Sequence, residues 1–499
     1  MDTSIQHFEK NGIPNLEKIT KTFMDDPMRV SEFVVGVKDA FLQTALEYIG
    51  ETFTAVNEVF RNSSKRVEDW EVVDTRDATK TTSIGDVNYR KTLFKHKKTG
   101  ERKFLVDIFF GFEPHSRLTE DAIAKMLEEA VQTSYRKAGE ECSILRQVSK
   151  QTVKNHIHAL KFPEAGEMEA SKEKRVVKRL YIEADEDHVH LQFQDKKGDL
   201  ETSKTGRKRN GAIEKIVYVH EGIEREAPKS KRHRLIGTHY FSGAYDGEKN
   251  KDLWDEVYEY INNTYDIDKI EKIYLCSDGG EWIKAGRKRL HGLTHVLDEF
   301  HIRQCLIRMT RHVDGIDKND HAAMNALITT IKDDTKEDFK SYVDMLLFKA
   351  SGNDGVWKRV SDGADYILNN WTAAKIRLTY KDKVCGCSTE GHVYHVLSSR
   401  MSTKPLGWSR LGADNMAHLR AYYWNGMSML ELVRYQREAN DHVIPKAAGA
   451  ENDVISAAKV IASEHLDVPD WAGYYERMQA TISDGIKKSV RFAMYRSRR

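Results

Sequence analysis

Residues 272–282 read KIYLCSDGGEW: a nearly continuous apolar run that meets an acid, Asp278, just before two glycines turn the backbone. Such a run suits a strand buried on both faces, and the point where a buried strand gives way to a loop is where open sheets carry their sites. Asp-Gly-Gly is equally an ordinary turn sequence, so the surroundings have to decide. Upstream, RLYIEA (179–184), HVHLQFQ (188–194), IEKIVYVHEGI (213–223) and RLIGTHYFSGAY (234–245) are short, β-rich and bounded by turn or charged residues. They predict three antiparallel strands. DLWDEVYEYINNTY (252–265) then gathers Leu253, Trp254, Val257, Tyr258 and Ile261 on one helical side.

Three strands, a helix, and a buried strand with an acid at its end form the layout of a ribonuclease-H-like α/β core. A second acid follows RLYIEA. On a strand, Asp185 shares a face with Glu183 and Asp187, and carboxylates crowded in this way repel unless a cation neutralises them. The alternative is that EADED (183–187) is an exposed turn between two strands. Further on, residues 314–381 return to helical patterning, with KEDFKSYVDMLLFKA (336–350) its clearest part, and STEGHVYHVLSSR (388–400) begins another amphipathic helix. Glu390 falls in that helix's first turn, where its charge favours the helix dipole. This structural role accounts for it without any chemistry.

The N-terminal part is of a different kind. Apolar spacing over 29–60 predicts one long helix or two, and VNYRKTLF (87–94) and KFLVDIFFGF (103–112) flank KHKKTGE (95–101) as a predicted hairpin. Thr119 precedes a helix with Ala122, Ile123, Met126, Leu127, Ala130 and Val131 inward. In VSKQTVKNHIHALKF (148–162) Ser149 can cap a helix that buries Val153, Ile157 and Leu160 and exposes Lys150, Gln151, Lys154 and Asn155. That resembles the reading helix of a helix-turn-helix, which offers polar side chains to base edges in the major groove, and a plain helical hairpin gives the same pattern. Residues 162–178 read as a linker.

Bulk composition narrows the function classes. At 499 residues the chain exceeds one hydrophobic core. The net charge of +2 announces no polyanion partner by itself, although KTGRKR (204–209) and KKSVRFAMYRSRR (487–499) are locally basic. Five scattered cysteines form no disulfide framework. With no leader-like N-terminus and no apolar stretch of membrane-spanning length, a cytoplasmic, nucleoid-associated protein without membrane contact is expected. No phosphate-cradling loop implies ATP, and Cys385 and Cys387, one residue apart near His392 and His395, lack the paired C-x-x-C spacing of a zinc site.

YIEADEDHVHLQ (181–192), YLCSDGGEWIK (274–284), LDEFHI (297–302), STEGHVYHVLSSRMS (388–402) and GWSRLGADNMAHLRAYYWNG (407–426) together resemble the ISLre-two family of bacterial insertion-sequence transposases, a Mutator-like group with an Asp-Asp-Glu site. The resemblance covers about residues 120 to 430 and, more loosely, the N-terminal part. It implies Asp185, Asp278 and Glu390 as catalytic ligands of two Mg²⁺ or Mn²⁺ ions, with Asp187 a rival to Asp185. It implies residues 314–381 as a helical insertion ahead of the glutamate. Asp298 and His301 match the family's Asp-x-x-His element; their spacing of three suits a structural pair equally well. The expected partners are double-stranded DNA, both element ends and target, and further copies of the chain in a synaptic homo-oligomer. The expected organisation is a helix and hairpin unit (1–118), a helix-turn-helix-like region (119–162), a catalytic core in two parts (175–313 and 382–430) around the insertion (314–381), and a helical, basic C-terminal region (431–499). A nuclease of the same fold that does not join ends, and an inactive DNA-binding regulator, are the alternatives.

Overall fold

The computed structural model describes residues 4–164, 173–193, 201–202, 208–290, 292–313, 315–316, 321–380, 384–404 and 406–441. The basic runs at 487–499 and, for the most part, 204–209 lie outside these residues, as does most of the 431–499 region. The chain divides into two compact units, Met1–Val153 with Met429–Arg499, and Lys154–Ser428.

In the first unit a long helix, α1 (Val30–Asn62), packs on an antiparallel pair, β1 (Trp70–Thr81) and β2 (Asp86–His96). Val56, Phe60, Trp70, Tyr89, Phe94, Leu105 and Val106 close the core between them. The hairpin therefore turns at Thr82–Gly85, where the Thr82 hydroxyl donates to the Gly85 carbonyl, 2.9 Å. The expected hairpin around KHKKTGE is present but short, pairing Phe94 with Lys103 and Lys95 with Arg102, and the longer strand expected in KFLVDIFFGF is corrected. Beyond it only Arg102–Lys103 pairs with β2, and Leu105–Phe109 is a short helix, α2. An apolar run of that length is compatible with strand or helix. Tertiary packing decides: Leu105 and Val106 are buried in the unit's core, and Phe109 and Phe110 pack against it.

Helices α3 (Glu120–Gln132) and α4 (Tyr135–Glu141) follow, then α5 (Lys150–Ala159). Residues 142–149 separate α4 from α5, longer than the three- or four-residue turn of a helix-turn-helix. Ser149 caps α5 through its hydroxyl, which accepts from Thr152 N at 3.1 Å.

The second unit is built on a five-stranded sheet. Its strands are β3 (Arg179–His190), β4 (Gly211–His220), β5 (His239–Gly243), β6 (Lys272–Ser277) and β7 (Leu293–Leu297), and they lie in the order β5-β4-β3-β6-β7. β5 and β4, and β4 and β3, pair antiparallel, while β6 and β7 run parallel to β3. EADED is not a turn: RLYIEA and HVH are one strand, whose register opposite β4 runs unbroken from Tyr181↔His220 to His190↔Gly211. One face, with Leu180, Ile182, Ala184, Val217 and Val219, packs on helices α6 (Asn250–Thr264) and α7 (Glu281–Arg289) through Leu253, Trp254, Val257 and Ile283. The opposite face carries Glu183, Asp185 and Asp187 by strand alternation.

Helix α8 (Glu299–Thr310) leads into four helices, α9 (Ala322–Asp333), α10 (Lys336–Lys349), α11 (Asp354–Asn369) and α12 (Trp371–Thr379), which share a separate core centred on Leu306, Leu327, Phe339 and Ile367. The chain then returns through α13 (Thr389–Val393) and α14 (Arg410–Trp424). Among the described residues no helix is long and apolar enough to cross a membrane.

The seat of α7 on α6 gives a stability test. A β-carbon on Gly286 would stand 2.5 Å from the buried Trp254 ring, so Gly286→Ala should lower the thermal midpoint, by about 1–3 kcal/mol of overpacking, despite alanine's better helix propensity. Gly355→Ala, whose β-carbon meets only Asn353 Oδ1 at 3.4 Å, should raise it, by roughly 0.5–1 kcal/mol. Thermal unfolding of the two variants checks the opposite signs.

Candidate functional site

The parallel register of β6 on β3 ends with Ser277 opposite Ala184. The next residue on each strand is an acid, so Asp278 and Asp185 emerge side by side on strands roughly 4.8 Å apart. The Asp278 carboxylate accepts from Gly280 N at 2.9 Å, and its carbonyl accepts from the Tyr366 hydroxyl of α11 at 2.8 Å. Gly279 makes this turn possible. Its φ is +88°, and a β-carbon there would meet Asn370 Oδ1 at 2.8 Å. The helical insertion thus holds the loop that carries Asp278.

Glu390 enters from α13 with its side chain 61% exposed, and its Oε1 lies 3.7 Å from His301 Nε2. Asp185, half-buried, reports the gathering of the three acids. Burial pushes its carboxyl up to about 7, with the charges of Asp278, Glu390 and Glu186 adding to the rise and a hydrogen bond from Glu186 N opposing it. Asp187, the sequence-level rival, is buried beside Ser402, whose hydroxyl donates to Oδ1 at 3.0 Å. Two other nearby glutamates are engaged elsewhere: Glu281 pairs with Lys284, and Glu299 with Arg303 and Arg377 at 2.9 and 3.0 Å. Asp298 caps α8, accepting from Phe300 N at 3.1 Å, and burial raises its carboxyl while the charges of His301 and Arg377 oppose the rise. Among the described residues no set of three His, Cys, Asp or Glu side chains is already drawn into a coordination shell. All five cysteines are free thiols.

Glu183 is the residue that sequence reading passed over as one more crowded acid. It is 1% exposed and ringed by donors. The Tyr218 hydroxyl, Ser388 N and the Thr389 hydroxyl reach Oε2 at 2.6, 2.8 and 2.8 Å, the Cys387 thiol at 3.2 Å, and His220 Nε2 faces Oε1 at 3.1 Å. Burial alone would push its carboxyl up; the hydrogen bonds and charge of His220, with those from Tyr218 and Ser388 N, bring it down to about 2. Its one sequence-level signal was Ser388-Thr389, polar residues at a helix start that could as well have been caps.

Glu186 and Asp278 line an open cleft of about 580 Å³ with Trp282, whose indole N–H donates to Glu186 Oε2 at 2.8 Å. A larger cavity, about 780 Å³, runs along β5 past Glu214 and Asp414 and includes none of Asp185, Asp278, Asp298, His301 or Glu390 in its wall. Both carboxylate oxygens of Glu214 are buried without a hydrogen-bond partner, and burial with the charges of Asp414 and Asp246 pushes it up to about 9. On α5, Lys150, Gln151, Lys154 and Asn155 are exposed over buried Val153, Ile157 and Leu160.

Residues 23–438 match the model of the uncharacterised protein family UPF0236. The chain belongs to this family. UPF0236 protein TTE2489 of Caldanaerobacter subterraneus subsp. tengcongensis is 34% identical over 430 residues, 85% of each chain. Another UPF0236 relative from that organism, 34% identical over 426 residues, covers 85% of this chain and 84% of its own, and its name joins a string of separate locus designations. Among solved structures, the Drosophila P element transposase strand transfer complex aligns over 72% of this UPF0236 chain and 95% of that chain, at 9% identity and a TM-score of 0.22. At that score the overlay carries no weight for the fold.

The Asp185 environment gives a pH test on metal-free protein. An acid whose folded value is raised stabilises fully below its unfolded value, near 4, and that contribution is lost as pH climbs through about 7. In chelator, Asp185→Asn should therefore gain on wild type in thermal midpoint between pH 4 and pH 8. A constant difference across that range would contradict the assignment.

Proposed function

We propose that this UPF0236 protein is a DNA transposase of the Asp-Asp-Glu kind, with a ribonuclease-H-like core, similar to the ISLre-two insertion-sequence enzymes. The observation that carries the reading is that Asp185 and Asp278 leave adjacent parallel strands at one end of a mixed sheet, and that Glu390, more than 200 residues from Asp185 in sequence, comes close enough for its charge to bear on Asp185 together with that of Asp278. The strand order β5-β4-β3-β6-β7, antiparallel then parallel, is the order such a core requires. The relatives' strings of locus designations support it from another side, since a protein repeated within one genome is what a self-spreading element leaves behind.

The donor set suits the metal. Three carboxylates offer only hard oxygen ligands, which favour Mg²⁺ or Mn²⁺ over softer ions, and their mutual repulsion is a cost that a cation removes. Two such ions would supply Lewis acidity for phosphodiester chemistry. Asp185 and Asp278, on rigid strand ends, would hold them, with Glu390 closing the set from α13. Water attacks phosphorus at the element's end and the bond to the 3′ oxygen breaks. The 3′ hydroxyl so released attacks a target phosphorus, displacing its 3′ oxygen. His301, beside Glu390, donates a hydrogen bond to the scissile phosphate, and Asp298 fixes the start of the helix that carries it. Lys150 and Lys154 contact phosphates and Gln151 and Asn155 contact base edges from the exposed side of α5. The active form is a homo-oligomer that brings two element ends together.

The test uses purified full-length protein, duplexes carrying the ends of the DNA element that encodes it, and Mn²⁺ or Mg²⁺, with mapping of cut and joined strands. Metal-dependent cleavage and joining are expected. Asp278→Ala should abolish both while leaving DNA binding within about twofold, since it removes a ligand and leaves α5 untouched. Retained cleavage removes Asp278 from the site, and cleavage without joining makes the protein a nuclease.

The DNA-reading helix makes a second prediction. Lys154→Ala should weaken binding to every duplex and lower its salt dependence, whereas Gln151→Ala should reduce the preference for element ends over random duplex by roughly 1–3 kcal/mol. Fluorescence anisotropy titrations at several salt concentrations separate these outcomes. Equal losses on both duplexes for Gln151→Ala would move the reading surface away from α5.

A further inference from the structure

We propose that Glu183 is a positioning residue: its buried carboxylate gathers the start of α13 onto β3 and so sets Glu390 beside Asp185. The inference rests on the metal-binding reading of Asp185, Asp278 and Glu390.

Geometry makes the case. Glu183 lies two residues before Asp185 on the same strand face, and Ser388 and Thr389 are the two residues immediately before Glu390. Its Oε2 accepts from Ser388 N and the Thr389 hydroxyl, both at 2.8 Å, across 205 and 206 residues of sequence. The bonds run through a backbone N–H and a β-carbon hydroxyl, so they fix the helix start itself and not a long flexible side chain. His220 and Tyr218, side by side on the facing strand, hold the carboxylate from behind at 3.1 and 2.6 Å. A buried carboxylate is costly unless donors surround it, and here the donors come from both the strand pair and the returning segment. Separating α13 from β3 would strip Glu183 of three partners, Cys387, Ser388 and Thr389, and leave a buried anion half-satisfied. The clamp therefore opposes displacement of the segment. Glu390 is itself 61% exposed and, among the described residues, its carboxylate has an ion pair with His301 alone, at 3.7 Å, so the placement of its backbone decides where its carboxylate stands.

Glutamine has the same shape but presents an amide N–H₂ where the carboxylate accepted, so it cannot receive all of these donors at once. A role confined to general stability would lower the melting temperature and leave metal affinity of the folded protein unchanged. A positioning role changes the affinity itself.

The experiment measures Mn²⁺ binding to the full-length protein by electron paramagnetic resonance, without DNA, alongside thermal melting. Wild type and Asp278→Asn form the control pair, and Glu183→Gln and Thr389→Val form the test pair. Wild type should bind Mn²⁺ at least tenfold more tightly than Asp278→Asn. Glu183→Gln should then weaken binding about tenfold or more, and Thr389→Val, which removes one bond without changing shape, about three- to tenfold. If Glu183→Gln does not fold, Thr389→Val decides alone. Wild-type affinity in the folded test variants overturns the positioning role and leaves the metal site standing. Equal affinity of wild type and Asp278→Asn overturns the metal site, and the positioning role with it.

Discussion

The parallel pairing of β6 with β3 is the constraint on which the rest of the molecule depends. Parallel strands cannot be joined by a tight turn, so the chain between them must leave the sheet and return; here it makes two antiparallel strands and α6 on the way. The register then fixes chemistry as well as fold. With Ser277 opposite Ala184, one residue more brings each strand to its acid; a slip of a single position would turn Asp185 toward the packed face under α6. Against that slip stand Leu180, Ile182, Ala184 and Leu275, all fully buried in one cluster. Apolar packing beneath the sheet thus sets the separation of carboxylates above it.

Bringing like charges together works against folding, and the surrounding structure offsets it with particular contacts. Asp278 rests on a turn held by the Tyr366 hydroxyl, with Gly279 at positive φ packed close to Asn370. Glu390 is carried by a helix start tied to Glu183, a buried acid that is fully served by donors. Asp185, which among the described residues receives one hydrogen bond, from its neighbour's backbone, has its carboxyl raised by burial and by the charges around it. The contrast between Glu183 and Asp185, two residues apart on one strand, follows from partners alone: one faces five donors, the other faces carboxylates.

Local sequence disclosed the parts of this arrangement that depend on local signals. KIYLCS is apolar almost throughout because both faces of β6 are covered, Leu275 by the helices on one side and Cys276 by Val384 on the other, and so Asp278 stood out at its end. The helical character of 314–381 announced itself by apolar spacing, most clearly in KEDFKSYVDMLLFKA. EADED left strand and turn open because charged residues are poor strand formers; its continuity comes from pairing with β4, a tertiary fact. KFLVDIFFGF was misplaced as a strand for the same reason in reverse, since its apolar residues fit either state until α1 and the hairpin supply a pocket. The clamp at Glu183 lay beyond local reading altogether. Nothing near YIEAD points to Ser388 and Thr389, and only the closed fold shows that an acid among acids is a structural tie.

That tie also places the site in time. Ribosomes deliver residues at roughly 5–20 per second, so about 10–40 seconds separate the emergence of Glu183 from that of Ser388, 205 residues later. During that interval β3 can pair with β4 and β6, but its buried carboxylate lacks the donors of the returning segment. The sheet can form while the chain is still being made; the third acid reaches the other two only after the helices between β7 and α13 have been made. A nascent chain at that stage would carry two aspartates side by side at the end of a sheet, without Glu390 beside them.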